Sequence, residues 1–233
     1  MRAQARSGST IGPDATSLRV ADILAALKRL DPSRYSFTAD VGDSWFIALE
    51  LRTEVFLAAA YYASMGFAAP GALGAGIAEP ARRPFAIAGD GAFQMTGTEL
   101  STMIEQGLAP IVLLNNGYGM LEAIDRPRNY YARRSWDYAA MARALGALAV
   151  RVTTPAELEG AMARAEADPG AVLIEAVTAR DDLSPVMARI RAHLHTPPKP
   201  RSLGRLGVPP MAGGGNRRRH GSLNWPEGCR ERA

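Results

Sequence analysis

Two uninterrupted apolar runs of strand length, PFAIAG (84–89) and PIVLLN (110–115), bracket a stretch of helical period. Neither run alternates apolar with polar residues, so both faces of each strand must be covered. The intervening TGTELSTMIEQG (96–107) places apolar residues at helical spacing and stops at Gly107, the usual left-handed helix end. A strand, a helix and a second strand at this spacing make a βαβ unit, whose strands run parallel.

The rest of the chain repeats the theme. SLRVADILAALKRLD (17–31) sets Val20, Leu24, Leu27 and Leu30 near helical spacing, with Thr16 or Ser17 as its cap. YSFTADV (35–41), EVFLAA (54–59), ALAVRV (147–152) and AVLIEAV (171–177) read as strands. SWFIALEL (44–51), the small-residue run GFAAPGALGAGIAEP (66–80) and WDYAAMARALG (136–146) read as helices. In PAELEGAMARAEA (155–167), Thr154 and Glu157 form a capping box around a proline at the first helical position. A short helix is expected near 185–194. The expected fold is α/β, a doubly wound, mostly parallel sheet with helices on both faces. Residues 1–16 read as a flexible lead-in, 17–196 as the domain, and 197–233, rich in Pro, Gly and Arg, as a disordered basic tail.

That tail explains the charge. From Pro197 onward eight Lys/Arg against two Asp/Glu give +6, so the net +4 of the whole chain leaves −2 on the body. A body of that sign argues against a nucleic-acid partner. Val55–Ala78 is uncharged but is broken by Pro70 and four glycines, which argues against a membrane span. The single cysteine, Cys229, excludes an intrachain disulfide framework and a thiolate metal cage. A cytoplasmic protein is the default expectation.

Ligands of parallel α/β sheets sit at the carboxyl ends of the strands. Gly89-Asp90-Gly91 ends one strand and Asn115-Asn116 ends the next, so both motifs should open on one edge. Their oxygen and amide groups suit a hard cation such as Mg2+, with phosphate and water completing the shell. The glycines admit backbone N–H groups to a phosphate, and a helix starting near Thr96 adds its dipole. The residues by themselves point to a metal-bridged diphosphate site. The dinucleotide pattern is excluded because Gln94 stands where its third glycine would be, and no Gly-Lys-Ser/Thr loop is present.

GDGAFQMTGTELSTMIEQGLAPIVLLNN (89–116) resembles the signature of thiamine-diphosphate-dependent enzymes, in particular the pyruvate, indolepyruvate and phenylpyruvate decarboxylase branch. ADVGDSWF (39–46), YYASMGFAAPGALGA (61–75) and LIEA (173–176) resemble further pieces of the same module, its C-terminal diphosphate-binding domain. The resemblance implies thiamine diphosphate and Mg2+ as cofactors. It implies Asp90, Asn116 and the Tyr118 carbonyl as metal ligands. It places Gly89, Gly91 and Ala92 at the diphosphate and Met65 as an apolar wedge beneath the cofactor. The Ala63 and Met65 backbone, beside Ser64, would meet the aminopyrimidine, and Asp43 and Ser44 lie in a further contacting loop. Two registers stay open after the asparagines. Aligned without a gap, Glu122 takes the place of a catalytic glutamate; with one residue deleted, Leu121 stands there as an apolar lining residue.

The implied reaction is non-oxidative decarboxylation of a 2-oxo acid to an aldehyde. It requires a pyrimidine-binding domain carrying a second glutamate, from a separate chain or a homologous full-length subunit, so an oligomer and exposed apolar surface are expected. His193, His195 and His220 read as surface residues. The alternatives are a truncated inactive remnant, half of an acetolactate-synthase-like carboligase, and a binding module without catalysis.

Overall fold

Six strands with these apolar runs can satisfy their backbone and cover both faces only as the middle layer of a three-layer stack. In the computed structural model, which describes residues 17–115, 119–125, 131, 136–179 and 181–194, they do so. The strands are β1 (Tyr35–Ala39), β2 (Val55–Ala58), β3 (Arg83–Gly89), β4 (Ile111–Asn115), β5 (Leu148–Val152) and β6 (Val172–Ala176). All pairings are parallel, in the order β2-β1-β3-β4-β6-β5. The 1–16 lead-in and the 197–233 tail lie outside the described residues.

The helices are α1 (Val20–Leu27), α2 (Asp43–Ala48), α3 (Ala68–Ala78), α4 (Asp90–Thr96), α5 (Glu99–Glu105), α6 (Gly119–Ile124), α7 (Tyr138–Ala144), α8 (Pro155–Ala167) and α9 (Pro185–Leu194). On one face α1, α2 and α8 cover Phe37, Phe85, Ile87, Ile111 and Ile174. Phe85 sits there between Tyr35 and Phe37, with centroids 5.8 and 5.3 Å away. On the other face α3, α4, α5 and α7 cover Ala86, Ala88, Val112 and Leu173. The small side chains of that face let the alanine- and glycine-rich α3 lie close, so that a Cβ on Gly76 would stand 2.6 Å from Pro84 Cγ. Each buried aromatic contributes on the order of 1.5–3 kcal/mol.

Two local expectations are corrected. The cap of α1 is neither Thr16 nor Ser17: the helix begins at Val20, and the Asp22 carboxylate accepts the Arg19 N–H at 2.9 Å. The helix after β3 does not wait for Thr96. It begins at Asp90 itself, with extended Gly89 as its cap residue, and a second helix, α5, follows after Gly97. The capping box of α8 forms as expected, with Glu157 N–H donating to Thr154 Oγ1 at 3.2 Å and Thr154 N–H donating back to Glu157 Oε2 at 3.2 Å. Among the described residues no helix is long and apolar enough to cross a membrane.

Candidate functional site

The chain leaves β1 toward β2 on one side and leaves β3 toward β4 on the other. The sheet therefore has a topological switch point between β1 and β3, where α/β folds open a crevice at the strand carboxyl ends. Register fixes which residues reach it. Ala39 pairs with Ala58 and Ile87, and Gly89 pairs with Asn115. The loops after β1, β2, β3 and β4 thus share one edge, and the strand tips leading into the two motifs lie side by side.

Asp90, at the first turn of α4, is buried with Gly91 and Ala92. Across the switch point Ser44, also buried, points its hydroxyl at Gly89: a Cβ built on Gly89 would have Ser44 Oγ 3.9 Å away as its nearest neighbour. Beside Gly89, apart from its chain neighbours, only the Ser44 hydroxyl comes within 4 Å of that position, and the buried Asp90 follows it in the chain. Gly42 turns the chain from β1 into α2 with φ +98°, a conformation that suits glycine. Asp43 follows it and is engaged within the fold: its carboxylate accepts the Ser184 N–H at 2.8 Å and also the Ser184 hydroxyl. Burial pushes the Asp43 carboxyl up, while the bonds from Ser184 pull it down.

The loop after β2 carries Ala63, Ser64 and Met65 to the same edge. Ala60 and Ala63 both hold left-handed φ, 36° and 53°, which costs a non-glycine residue on the order of 1–3 kcal/mol. Met65 is half-buried, and Tyr61, Tyr62 and Ser64 are exposed. Met95 on the neighbouring α4 is exposed too. Asn116 and Tyr118 lie outside the described residues. Beyond them, α6 holds both Leu121 and Glu122 half-buried and packs against α9. Among the described residues no trio of His, Cys, Asp or Glu could hold a metal. One carboxylate supplemented by amide and carbonyl oxygens suits a hard cation that keeps phosphate and water among its ligands.

Residues 40–176 match the family described as thiamine pyrophosphate enzyme, C-terminal TPP binding domain. The chain belongs to the thiamine pyrophosphate enzyme family. It is 38% identical over 167 residues to the indole-3-pyruvate decarboxylase of Azospirillum brasilense, covering 69% of this chain and 31% of that one. It is 32% identical over 180 residues to a probable pyruvate decarboxylase of Schizosaccharomyces pombe, covering 73% and 32%. It is 34% identical over 169 residues to an alpha-keto-acid decarboxylase of Mycobacterium ulcerans, covering 68% and 30%. The chain thus spans about a third of the length of these curated relatives. Enzymes of this decarboxylase type use thiamine pyrophosphate with Mg2+, and the uncrowded backbone at Gly89, followed by the buried carboxylate residue Asp90, fits that pair.

Two buried acids of this TPP-binding domain were not singled out by their sequence pattern. Asp40, the residue after β1, is 1% exposed and accepts the Phe67 N–H at 2.8 Å. Glu175 in β6 is 3% exposed and has Arg151 Nη1 3.3 Å from its Oε1. Burial pushes both carboxyls up; in Glu175 the Arg151 guanidinium pulls down, while Asp137 and Asp90 add to the rise. The signal for Asp40 was available, since it directly follows a strand on the ligand edge. For Glu175 it was not, because an acid within LIEA reads as an interruption of a buried run. Gln94, the residue that breaks the dinucleotide pattern, donates to the Tyr138 hydroxyl at 2.8 Å and ties α4 to α7.

Proposed function

We propose that this chain is the Mg2+- and thiamine-diphosphate-holding half of a non-oxidative, aldehyde-forming 2-oxo acid decarboxylase. The observation that carries the proposal is the pairing of Gly89 with Asn115 at adjacent strand tips, with Asp90 opening α4 and Ser44 facing Gly89. The relatives are named as decarboxylases of 2-oxo acids, which favours this reading over a carboligase.

When bound, thiamine diphosphate supplies the carbon nucleophile and electron sink that 2-oxo acid decarboxylation requires. The chain's own residues hold and orient it. Asp90, Asn116 and the Tyr118 carbonyl are assigned as Mg2+ ligands. The Gly91 and Ala92 N–H groups, at the first turn of α4, are assigned to the diphosphate beside Gly89. Ser44 faces Gly89 and Asp43 braces its loop. Met65 is assigned as the apolar support under the cofactor, with the backbone of Ala63 to Met65 set against the pyrimidine. In the ungapped register Glu122 on α6 is the acid–base residue; in the register with one residue deleted Leu121 takes that place as an apolar lining residue. A pyrimidine-binding domain, from another chain or a homologous subunit, completes the site and covers the exposed Tyr61, Tyr62 and Met95 in an oligomer.

Calorimetric titration of the purified chain with thiamine diphosphate tests the cofactor assignment: binding should appear with Mg2+ and vanish with chelator. Addition of a pyrimidine-binding partner should then release aldehyde from a 2-oxo acid. A chain that binds thiamine diphosphate equally well with and without Mg2+ would refute the metal assignment.

A further inference from the structure

We propose that Asp40 is a positioning residue for the cofactor: with the Thr96 hydroxyl it fixes the backbone after Met65, and so sets where residues 63–65 stand at the ligand edge. The inference rests on the cofactor reading above.

Asp40 is itself immobile. It follows β1 directly, and its N–H donates to the Ile87 carbonyl of β3 at 2.9 Å. Its carboxylate accepts the Phe67 N–H at 2.8 Å, and the N–H groups of Ala68 and Gly66 also stabilise its charge. Those of Phe67 and Ala68 are orphan donors at the start of α3, whose own cap residue, Phe67, offers no side-chain acceptor. The neighbouring carbonyls are held as well. Gly66 C=O accepts the Thr96 hydroxyl at 2.8 Å, and Ala68 C=O accepts the Thr38 hydroxyl at 2.9 Å. Residues 66–68 are thus gripped from β1 and α4 at once.

Upstream the chain is the opposite. Ala60 and Ala63 sit at left-handed φ, and residues 61–64 are exposed. Such strain persists only where flanking structure over-determines the path. On the downstream side that structure is the Asp40 clamp, one residue beyond Met65. A helix start needs no more than a local Ser, Thr, Asn or Asp. An acid buried to 1% exposure and reaching in from the end of β1 does more, because it ties the loop's position to the sheet whose strand β3 leads into Asp90.

The test uses the full 233-residue chain as wild type, Asp40→Ala, Asp40→Asn and Thr96→Val. Hydrogen-exchange mass spectrometry reads the amides of residues 63–68. Calorimetry reads Mg2+-dependent affinity for thiamine diphosphate and, separately, for inorganic pyrophosphate, which lacks the thiamine part. Asp40→Ala should speed exchange at residues 66–68 by about tenfold or more. It should also lower the ratio of thiamine diphosphate to pyrophosphate affinity by about tenfold, leaving pyrophosphate affinity unchanged. Asp40→Asn, which keeps an acceptor oxygen, should restore most of the ratio, and Thr96→Val should lower it by about two- to fivefold. An unchanged ratio, or equal loss of both affinities, overturns the positioning role. If Asp40→Ala does not fold, an unchanged ratio in Thr96→Val overturns it instead. A wild type that binds neither ligand with Mg2+ overturns the cofactor reading and the assignment resting on it; a wild type that binds both while the ratio stays fixed overturns the Asp40 assignment alone.

Discussion

Asp43→Ala should loosen α9 from the ligand edge and cost the domain about 2–3 kcal/mol. The wild-type carboxylate accepts two hydrogen bonds from Ser184, through its N–H at 2.8 Å and through its hydroxyl. Hydrogen bonds to a charged group contribute about 1.5–3 kcal/mol each, and Ser184, at 0% exposure, would be left without that acceptor. Against this stands the desolvation of Asp43, which its raised pKa reports and which the variant no longer bears. The net figure therefore falls below the sum of the two bonds. In a domain of this size it corresponds to a fall in Tm of about 5–10 °C. Asp43→Asn retains an acceptor and should lose less than half of that. The pH dependence has a definite sign. Because the folded-state pKa lies above the unfolded value, this group's contribution is fully present below about pH 4 and is lost as pH rises through the folded value. The gap between wild type and Asp43→Ala should be wider at pH 4 than at pH 7. Calorimetric or circular-dichroism melts at both pH values make the measurement. Equal Tm for wild type and Asp43→Ala at pH 4 would refute the reasoning, since the bond between α2 and the start of α9 would then carry no stability.

Asp90→Ala should reduce Mg2+-dependent thiamine diphosphate affinity by about 100-fold or more; retained Mg2+ dependence in calorimetry would remove Asp90 from the ligand set. Gly76→Ala should destabilise by about 1–2 kcal/mol, because overpacking against the rigid Pro84 ring and Leu108 outweighs the gain in helix propensity. Gly74→Ala on the same helix meets nothing within 4 Å and should stabilise by about 0.5–1 kcal/mol, so urea melts of the pair should move in opposite directions. Glu175→Gln should remove the stability that wild type gains as pH falls through the range in which this buried carboxyl takes up a proton. Its carboxyl, like those of Asp40 and Asp43, is pushed up by burial, whereas the lowered Asp31 and Glu157 lose their contribution only at more acid pH. An unchanged slope in Tm against pH would show that Glu175 is not a source of it.

Much of the site's frame was legible in the amino-acid order alone. PFAIAG and PIVLLN could only be covered on both faces, so their strands had to be parallel and joined by a crossover. That put Gly89 and Asn115 at neighbouring strand ends, as their pairing shows. Gly107 and the Thr154–Glu157 box marked helix ends correctly, because these signals act within one turn of backbone. The start of α4 was misplaced because Thr96 has the stronger local signal, whereas Asp90 enters the helix as β3 ends at the sheet edge.

The partners of the buried acids were a different matter. Asp40 meets Phe67 across 27 residues, and Asp43 meets Ser184 across 141. Those pairings arise because the crossover from β2 to β3 carries α3 over β1, and because the chain returns after β6 to lay α9 on α2. Local sequence determined which segments become strands and helices and which strand ends carry polar residues, since apolar period and turn chemistry are properties of a few neighbouring residues. Only the tertiary structure decided which acid grips which backbone, since a buried carboxylate bonds to the donors that the packing of distant elements brings within 3 Å.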